Sequence, residues 1–278
     1  MEDSSGEGTP AQLLWTGGWD STFRLLDLLL VKNRPVQPYY FIDTQRRSFG
    51  TEIQAMNSIK RRLAKTAPDR LRLLRPTIFR DVADIPADEE ISESYRRFCA
   101  RVHVGIQYEW GARFARAEGL SGLELALIGG GHMAGIFEPY LHREQHGDDL
   151  ICGIDPQHRG TDLYRLFGDY RFPLISITKT EMLEKARRDG FEDLMLSTVF
   201  CHSPRADGRP CGLCIPCGIA VDNGLGWRLP RGSRIRNRWQ RRYREARRFI
   251  EKFPRIFPVA QKIARAFKRN KERTIPIP

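Results

Sequence analysis

Short apolar runs alternate with longer amphipathic segments along the chain, and this alternation predicts the secondary structure. Runs rich in β-branched and aromatic residues predict strands, whereas apolar residues three or four positions apart predict helices. The predicted strands are residues 13–15, 38–43, 71–74, 123–128 and 173–177. The predicted helices are one that begins near Asp20 and those over residues 51–64, 95–118 and 178–190.

Strands and helices alternate in this order, which predicts an α/β fold with a parallel sheet and helices on both of its faces. Two polar stretches interrupt the pattern. Residues 76–94 predict a solvated loop or an insertion over the mouth of a site. Residues 142–172 predict a lid or an ordered surface insertion.

The turn after the first strand has the sequence Thr16-Gly17-Gly18-Trp19-Asp20-Ser21. Glycines let the backbone approach a ligand closely, and the N–H groups and dipole at a helix start favour an anion. The turn therefore indicates a phosphate or pyrophosphate site, although an ordinary strand–helix turn also uses paired glycines. It is not a Walker-type loop, because no Gly-Lys-Ser/Thr follows.

Two further features lie at the carboxyl ends of predicted strands, where open α/β sheets bind ligands. Asp43 ends the second strand. The run Gly129, Gly130 and Gly131 follows the strand over residues 123–128 and indicates close approach of the backbone to a ligand.

The length of 278 residues suits one sizeable α/β domain with an appendage. No apolar run approaches the roughly 18–20 residues that span a bilayer, so we expect no membrane association. Residues 1–10 are acidic, rich in Ser and Gly and without the apolar core of a signal peptide, so they predict a disordered lead-in. We expect a cytoplasmic protein.

The net charge of +12 resides in the C-terminal tail. Residues 228–278 contain 18 basic and 3 acidic residues, whereas residues 1–227 contain 28 basic and 31 acidic ones. An apolar stripe with helical spacing runs through the tail and comprises Ile235, Trp239, Tyr243, Ala246, Ile250 and Phe253. We expect the stripe to dock on the rest of the chain or on a second subunit, and we expect a homodimer. The arginines around it suit nucleic-acid phosphates or an acidic protein.

Four of the six cysteines form the pattern Cys201-x9-Cys211-x2-Cys214-x2-Cys217. This spacing is typical of a structural zinc site with four thiolate ligands. An iron–sulfur cluster uses the same number of cysteines. A pair of disulfides does not suit a cytoplasmic chain.

Taken in order, these motifs resemble those of 7-cyano-7-deazaguanine synthases, which belong to the PP-loop group of N-type ATP pyrophosphatases and act in queuosine biosynthesis. Thr16 to Ser21 match the pattern Ser-Gly-Gly-x-Asp-Ser, with threonine keeping the first hydroxyl. The match continues through Asp43-x-Gln45-Arg46, the glycine run, residues 173–181 and the four cysteines, and it covers about residues 12–220.

The resemblance implies an adenine nucleotide alpha hydrolase-like fold and an AMP-forming ligase, or nitrile synthase, that uses ATP and Mg²⁺. Such enzymes adenylate the carboxylate of 7-carboxy-7-deazaguanine, let ammonia displace AMP, and dehydrate the amide with a second ATP. The implied nucleotide-binding residues are Thr16, Gly17, Gly18, Asp20, Ser21, Asp43, Gln45, Arg46, Gly129, Gly130 and Gly131.

The resemblance also implies catalytic roles for Asp20, Ser21 and Lys179, and Zn²⁺ binding by the four cysteines. Lys179 would stabilise developing phosphoryl charge. Its alternative is an ordinary lysine exposed to water at the start of a helix.

Four departures predict a divergent member of the family. The Pro-Gly-Arg-Asn segment of the family has no clean counterpart, Trp19 is bulky for the loop, residues 141–172 are longer than expected, and the basic tail is additional. The substrate is then a deazapurine carboxylate or another acceptor, with an anti-phage or nucleic-acid-modifying role as one form of divergence. The alternative is a non-catalytic, zinc-stabilised protein that binds nucleic acid or protein.

The predicted organisation has four parts. These are a lead-in over residues 1–10, a PP-loop domain over residues 11–198, a cysteine segment over residues 199–220 and a basic helical extension over residues 221–278.

Overall fold

The computed structural model describes residues 9–146 and 149–251 and forms two compact units that divide after Pro204. The strands of the first unit are β1 (Ala11–Leu14), β2 (Val36–Ile42), β3 (Ile78–Asp81), β4 (Leu123–Glu124), β5 (Leu141–His146), β6 (Asp149–Ile154) and β7 (Tyr170–Arg171). Its α-helices are α1 (Trp19–Leu26), α2 (Phe49–Thr66), α3 (Pro68–Leu71), α4 (Glu89–Cys99), α5 (Gln107–Ala117), α6 (His132–Phe137), α7 (Asp162–Phe167), α8 (Lys179–Arg188) and α9 (Glu192–Met195). The second unit contains α10 (Ile215–Asp222) and α11 (Arg231–Glu251).

Five strands form one parallel sheet in the order β3-β2-β1-β4-β7, and helices flank it, which confirms the α/β class. The central strand β1 pairs with β2 on one side and β4 on the other, so that Leu13 lies opposite both Pro38 and Glu124. The chain first builds one half of the sheet through β2 and β3, then the other half through β4 and β7. The strand order therefore reverses between β1 and β4, where open α/β sheets leave a crevice beyond their carboxyl ends.

The helix after β1 is buried on almost every side because it lies inside the core of the first unit. Phe23 is fully buried and its ring packs 5.9 Å from that of Phe191, measured between centroids. The helix continues as a π-helical turn over Asp27–Val31, where Leu28 and Leu29 are also fully buried. The leucine pattern that predicts this helix therefore reflects real burial.

The predicted third strand over residues 71–74 is wrong. Leu71 ends α3, and Leu74 forms only an isolated bridge to Val36. The third strand is β3, within the segment predicted as a loop or insertion. Its Ile78 and Phe79 are more than one-third exposed because β3 lies at the edge of the sheet, so it lacks the apolar alternation of a buried strand.

The predicted helix over residues 95–118 is two helices, α4 and α5. The chain turns between them and buries Val104, whose carbonyl oxygen accepts a hydrogen bond of 3.1 Å from the Tyr95 hydroxyl. The apolar periodicity continues across the break because both helices face the same core.

The predicted strand over residues 173–177 is also wrong, and that over residues 123–128 is shorter than expected. The strand pairing ends with β7, and Phe172 donates its N–H to the Cys152 carbonyl at 2.7 Å instead. Pro173 has no N–H with which to continue a ladder. Cys152 belongs to β6, which pairs antiparallel with β5 in a hairpin within the polar stretch over residues 142–172.

The second unit confirms a helix in the basic extension, beginning at Arg231. Residues 1–8 of the predicted lead-in and Phe253 of the apolar stripe lie outside the described residues.

Candidate functional site

A cleft of about 470 Å³ opens at the carboxyl ends of β1, β2 and β4, and Tyr170 of β7 also lines it. The described residues that line it are Leu14, Thr16, Gly18, Trp19, Asp20, Ser21, Tyr39, Tyr40, Phe41, Asp43, Arg46, Ile106, Gln107, Tyr108, Trp110, Leu125, Ala126, Tyr170 and His202. The cleft thus lies where the strand order reverses, and the predicted anion loop forms part of its wall.

The loop after β1 requires glycine at position 17. Gly17 has a φ of +67°, and a Cβ there would lie 3.0 Å from the Glu52 carbonyl oxygen and 3.1 Å from Met56 Cγ. Its own carbonyl accepts a hydrogen bond of 3.0 Å from Val199 N–H. Close packing on α2 and the hydrogen bond from Val199 therefore hold the turn in place. The next residue, Gly18, leads directly into α1.

Two hydroxyls close the loop from inside. The Thr16 N–H donates to Ser21 Oγ at 3.3 Å, and the two side-chain hydroxyl oxygens lie 3.4 Å apart. Ser21 is 7% exposed. The first-turn N–H groups of a helix have no partner within the helix, and the first-turn residues Trp19, Asp20 and Ser21 line the cleft.

Lys179 lies against the loop although it is far away in sequence. Its Nζ donates to Asp20 Oδ1 at 2.8 Å and to Oδ2 at 3.0 Å. The lysine side chain is 13% exposed, so it is not the water-exposed lysine of the alternative interpretation. Thr178 and Glu181 form a capping box that starts α8 at Lys179.

The end of β2 carries a second charged group. Arg46 donates to Glu52 Oε1 at 2.8 Å, and the Tyr40 hydroxyl donates to Glu52 Oε2 at 2.8 Å. Burial, together with the Glu52 carboxylate, raises the pKa of Tyr40 and keeps the phenol protonated. Glu52 is 6% exposed, so it orients Arg46 and Tyr40 at the cleft without facing the cleft itself.

Of the remaining residues predicted to bind the nucleotide, some line the cleft and others do not. Asp43 lines the cleft and accepts the Gln45 N–H at 3.0 Å, but Gln45 is exposed and is absent from the described cleft lining. The glycine run is absent from that lining too. Gly129 instead packs on the backbone after β7, donating to the Ile177 carbonyl at 3.0 Å, and a Cβ would lie 3.1 Å from the Ile175 carbonyl oxygen.

Sequence reasoning missed the aromatic walls of the cleft, which are Tyr39, Tyr40, Phe41, Tyr108, Trp110 and Tyr170. Burial raises the pKa of Tyr108 and of Tyr170, so both stay neutral. Burial, followed by the positive charge of Arg46, lowers the pKa of His202. The aromatic run at the end of β2 was the signal that would have indicated a wall suited to a flat ring.

The four patterned cysteines form a group that can hold a metal ion. These cysteines are Cys201, Cys211, Cys214 and Cys217, and no disulfide links them. Within the second unit, Cys217 Sγ lies 3.4 Å from Cys214 Sγ and 3.9 Å from Cys211 Sγ. A tetrahedral ion with bonds of about 2.3 Å to sulfur places its ligands about 3.8 Å apart, close to both distances.

Backbone donors point at the same sulfurs. Cys211 Sγ accepts N–H groups from Leu213 at 3.3 Å and Cys214 at 3.4 Å, and Cys217 Sγ accepts the Gly212 N–H at 3.4 Å. Such outer hydrogen bonds stabilise thiolates and orient metal ligands. The donor set therefore fits a metal-binding knuckle rather than a set of inert thiols.

Among the described residues, no helix has both the length and the apolar character needed to cross a bilayer. Neither the protein-family models nor the curated protein sequences give a match to this chain.

Proposed function

We propose that the protein is an AMP-forming, ATP-dependent ligase of the PP-loop type that activates a carboxylate in the cleft at the end of β1. One observation carries the proposal. A glycine loop where the strand order reverses holds Asp20, and Lys179 lies against that carboxylate at 2.8 Å. An anion-binding turn, an acceptor-only carboxylate and a fixed cation are the groups that phosphoryl chemistry requires.

The proposed reaction begins when an oxygen of the substrate carboxylate attacks the α-phosphorus of ATP. The bond from that phosphorus to the bridging oxygen breaks, and pyrophosphate leaves with the bonding electron pair. The product is an acyl-adenylate. A nucleophile such as ammonia then attacks the carbonyl carbon, loses a proton and expels AMP.

Residues of this chain divide the work by position. The loop from Thr16 to Ser21 and the N–H groups that start α1 receive phosphate oxygens. Lys179 has three ammonium donors, so it can keep its contact with Asp20 while donating to a phosphate oxygen. Arg46, oriented by Glu52, adds a second cation at the mouth of the cleft.

Two metals belong to the proposal. Mg²⁺, when bound with ATP, would neutralise phosphate charge, and Asp20 and Asp43 are the carboxylates of the cleft that can hold it. Zn²⁺ is the ion that suits four thiolates at the observed spacings, with a role confined to structure because no ligand position is left open.

The aromatic walls support a planar substrate such as a deazapurine carboxylate. A volume of about 470 Å³ lies in the range of small-molecule sites. Burial raises the pKa of Tyr39, Tyr40, Tyr108 and Tyr170, so the four tyrosines of the walls are uncharged and do not repel an anionic substrate.

The test incubates the purified protein with ATP, Mg²⁺, ammonia and 7-carboxy-7-deazaguanine, and it measures AMP, pyrophosphate and the mass of the product. Titration calorimetry measures MgATP binding separately. We expect Lys179→Met to lower turnover about 100-fold or more. Arg188→Gln, which removes a 69% exposed charge from the same helix, should leave turnover unchanged. A folded protein that binds no MgATP would overturn the proposal, whereas ATP binding without turnover would implicate a different carboxylate.

A further inference from the structure

The first four residues of the apolar stripe, Ile235, Trp239, Tyr243 and Ala246, are exposed on α11. Ile235 is 50% exposed, Trp239 is 66% exposed and Tyr243 is 69% exposed. The face that packs within the second unit is polar instead, and it includes Ser233 and Asn237, which are 0% and 4% exposed. Within the second unit, these three side chains of the stripe are therefore left uncovered.

Hydrogen bonds fix the rotation of this helix. The Ser233 hydroxyl donates to the Pro210 carbonyl at 2.5 Å, and the Asn237 amide donates to the Gly212 carbonyl at 3.0 Å. Arg241 donates to Asp222 at 2.5 Å. Because these bonds hold the polar face on the cysteine knuckle, the stripe is presented outward by a rigid support rather than left exposed by a loose helix.

Arginines surround and interrupt the stripe. Every basic residue of α11 is an arginine, and four exposed ones, Arg231, Arg234, Arg238 and Arg242, form no ion pair within the described part of the chain. Arg242 follows Ile235 by seven residues, which is about two helical turns, so it projects from the same face as the stripe. Arg238 and Arg242 each directly precede an exposed aromatic residue.

The combination of exposed aromatic rings and exposed arginines limits the kinds of partner that fit this surface. A lipid-facing stripe would place Arg242 against the acyl region, which is unfavourable. A second copy of α11 would bring two strongly positive surfaces together, which is also unfavourable. Single-stranded nucleic acid satisfies both features, because phosphates pair with guanidinium groups while bases stack on aromatic rings and on planar arginine.

We propose that the exposed face of α11, defined by Ile235, Arg238, Trp239, Arg242 and Tyr243, binds single-stranded nucleic acid without strong sequence preference. Trp239 and Tyr243 are four residues apart, about 6 Å along the helix axis. That separation exceeds the ~3.4 Å rise of stacked bases, so each ring takes its own base from an extended strand. The inference rests on the second unit alone and is independent of the proposed ligase activity.

The test uses the full chain and fluorescence anisotropy with labelled oligo(U), oligo(dT) and a mixed-sequence duplex at several salt concentrations. We expect both single strands to bind better than the duplex. The double variant Trp239→Ala/Tyr243→Ala should weaken single-strand binding by about 10- to 100-fold and leave the salt dependence nearly unchanged. Arg238→Gln/Arg242→Gln should weaken it as well and reduce the slope of log K against log salt by about 1 to 2.

Trp227→Ala is the matched control, because Trp227 is 50% exposed in the same unit but lies outside α11. It should bind as the unchanged protein does. Thermal melts confirm that each variant is folded. The proposal is overturned if the aromatic double variant binds oligo(U) normally, if the duplex is preferred, or if the protein binds phosphatidylserine vesicles but no oligonucleotide.

Discussion

Arg24 provides the sharpest test of the packing described above, because a buried arginine must keep its partners. Its guanidinium is 1% exposed and donates to both carboxylate oxygens of Glu124, at 2.7 and 2.8 Å. It also donates to Asp149 at 2.7 and 3.1 Å. These bonds join α1 to β4 and to the hairpin strand β6. Burial acts to lower the pKa of Arg24, but the hydrogen bonds and negative charges of Glu124 and Asp149 outweigh it and raise the pKa above its usual value.

We predict that Arg24→Met strongly destabilises the first unit. Without Arg24, the Asp149 carboxylate still has the Lys32 ammonium group at 3.5 Å. Glu124, which is 3% exposed, has no second cation among the described residues. Removing one partner of a buried pair costs about 3–5 kcal/mol because the remaining charge is left without compensation. For a unit of this size each kcal/mol lowers the melting temperature by about 2–4 °C, so we expect a fall of roughly 6–20 °C.

The assay is thermal unfolding followed by circular dichroism, with Arg72→Met as the matched control. Arg72 pairs with Asp69 on the surface, where the two side chains are 76% and 83% exposed, so its loss should cost below about 1 kcal/mol. The double variant Arg24→Met/Glu124→Leu removes the stranded charge and should recover much of the lost stability. Equal melting shifts for Arg24→Met and Arg72→Met, or no recovery in the double variant, would refute the reasoning.

Three further outcomes follow from the same geometry. Gly212→Ala should lower the free energy of unfolding by about 3 kcal/mol and lower the zinc content as well, because a Cβ there lies 2.3 Å from a backbone carbonyl oxygen at a φ of +83°. The control is Gly208→Ala, at a φ of +74° in open space, which should lower the free energy of unfolding by only about 1–2 kcal/mol in thermal melts. In Cys214→Ser, the amount of zinc bound per chain, measured by metal analysis after dialysis, should fall well below one ion. Full retention of zinc would contradict the four-thiolate site. Burial acts to raise the pKa of Asp149, but Arg24 and Lys32 outweigh it and lower the pKa below its usual 3.8. The ionised Asp149 therefore stabilises the folded protein above about pH 4, and this stabilisation is lost as the pH falls further. The difference in melting temperature between the unchanged protein and Asp149→Asn should accordingly shrink toward pH 3.

Local sequence determined the features whose physics is local. The turn from Thr16 to Ser21 needs glycine for its φ at Gly17, and the start of α8 needs the capping pair of Thr178 and Glu181, so both are predictable from a few adjacent residues. The cysteine spacing is equally local within the second unit. There Gly212, with its positive φ, donates its N–H to Cys217 Sγ in the turn between Cys211 and Cys217. Apolar periodicity also predicts α1 and the class of the fold.

Only the tertiary structure decided which residues meet. The contact of Lys179 with Asp20 spans 159 positions, and Glu52 reaches Arg46 and Tyr40 from a different element, because the order of the strands brings their carboxyl ends together. Edge strand β3 escaped prediction because a half-exposed strand carries little apolar pattern. Periodicity likewise places Trp239 on one face of α11, but the direction of that face follows from hydrogen bonds to the cysteine knuckle, since buried polar groups must find partners wherever the chain supplies them.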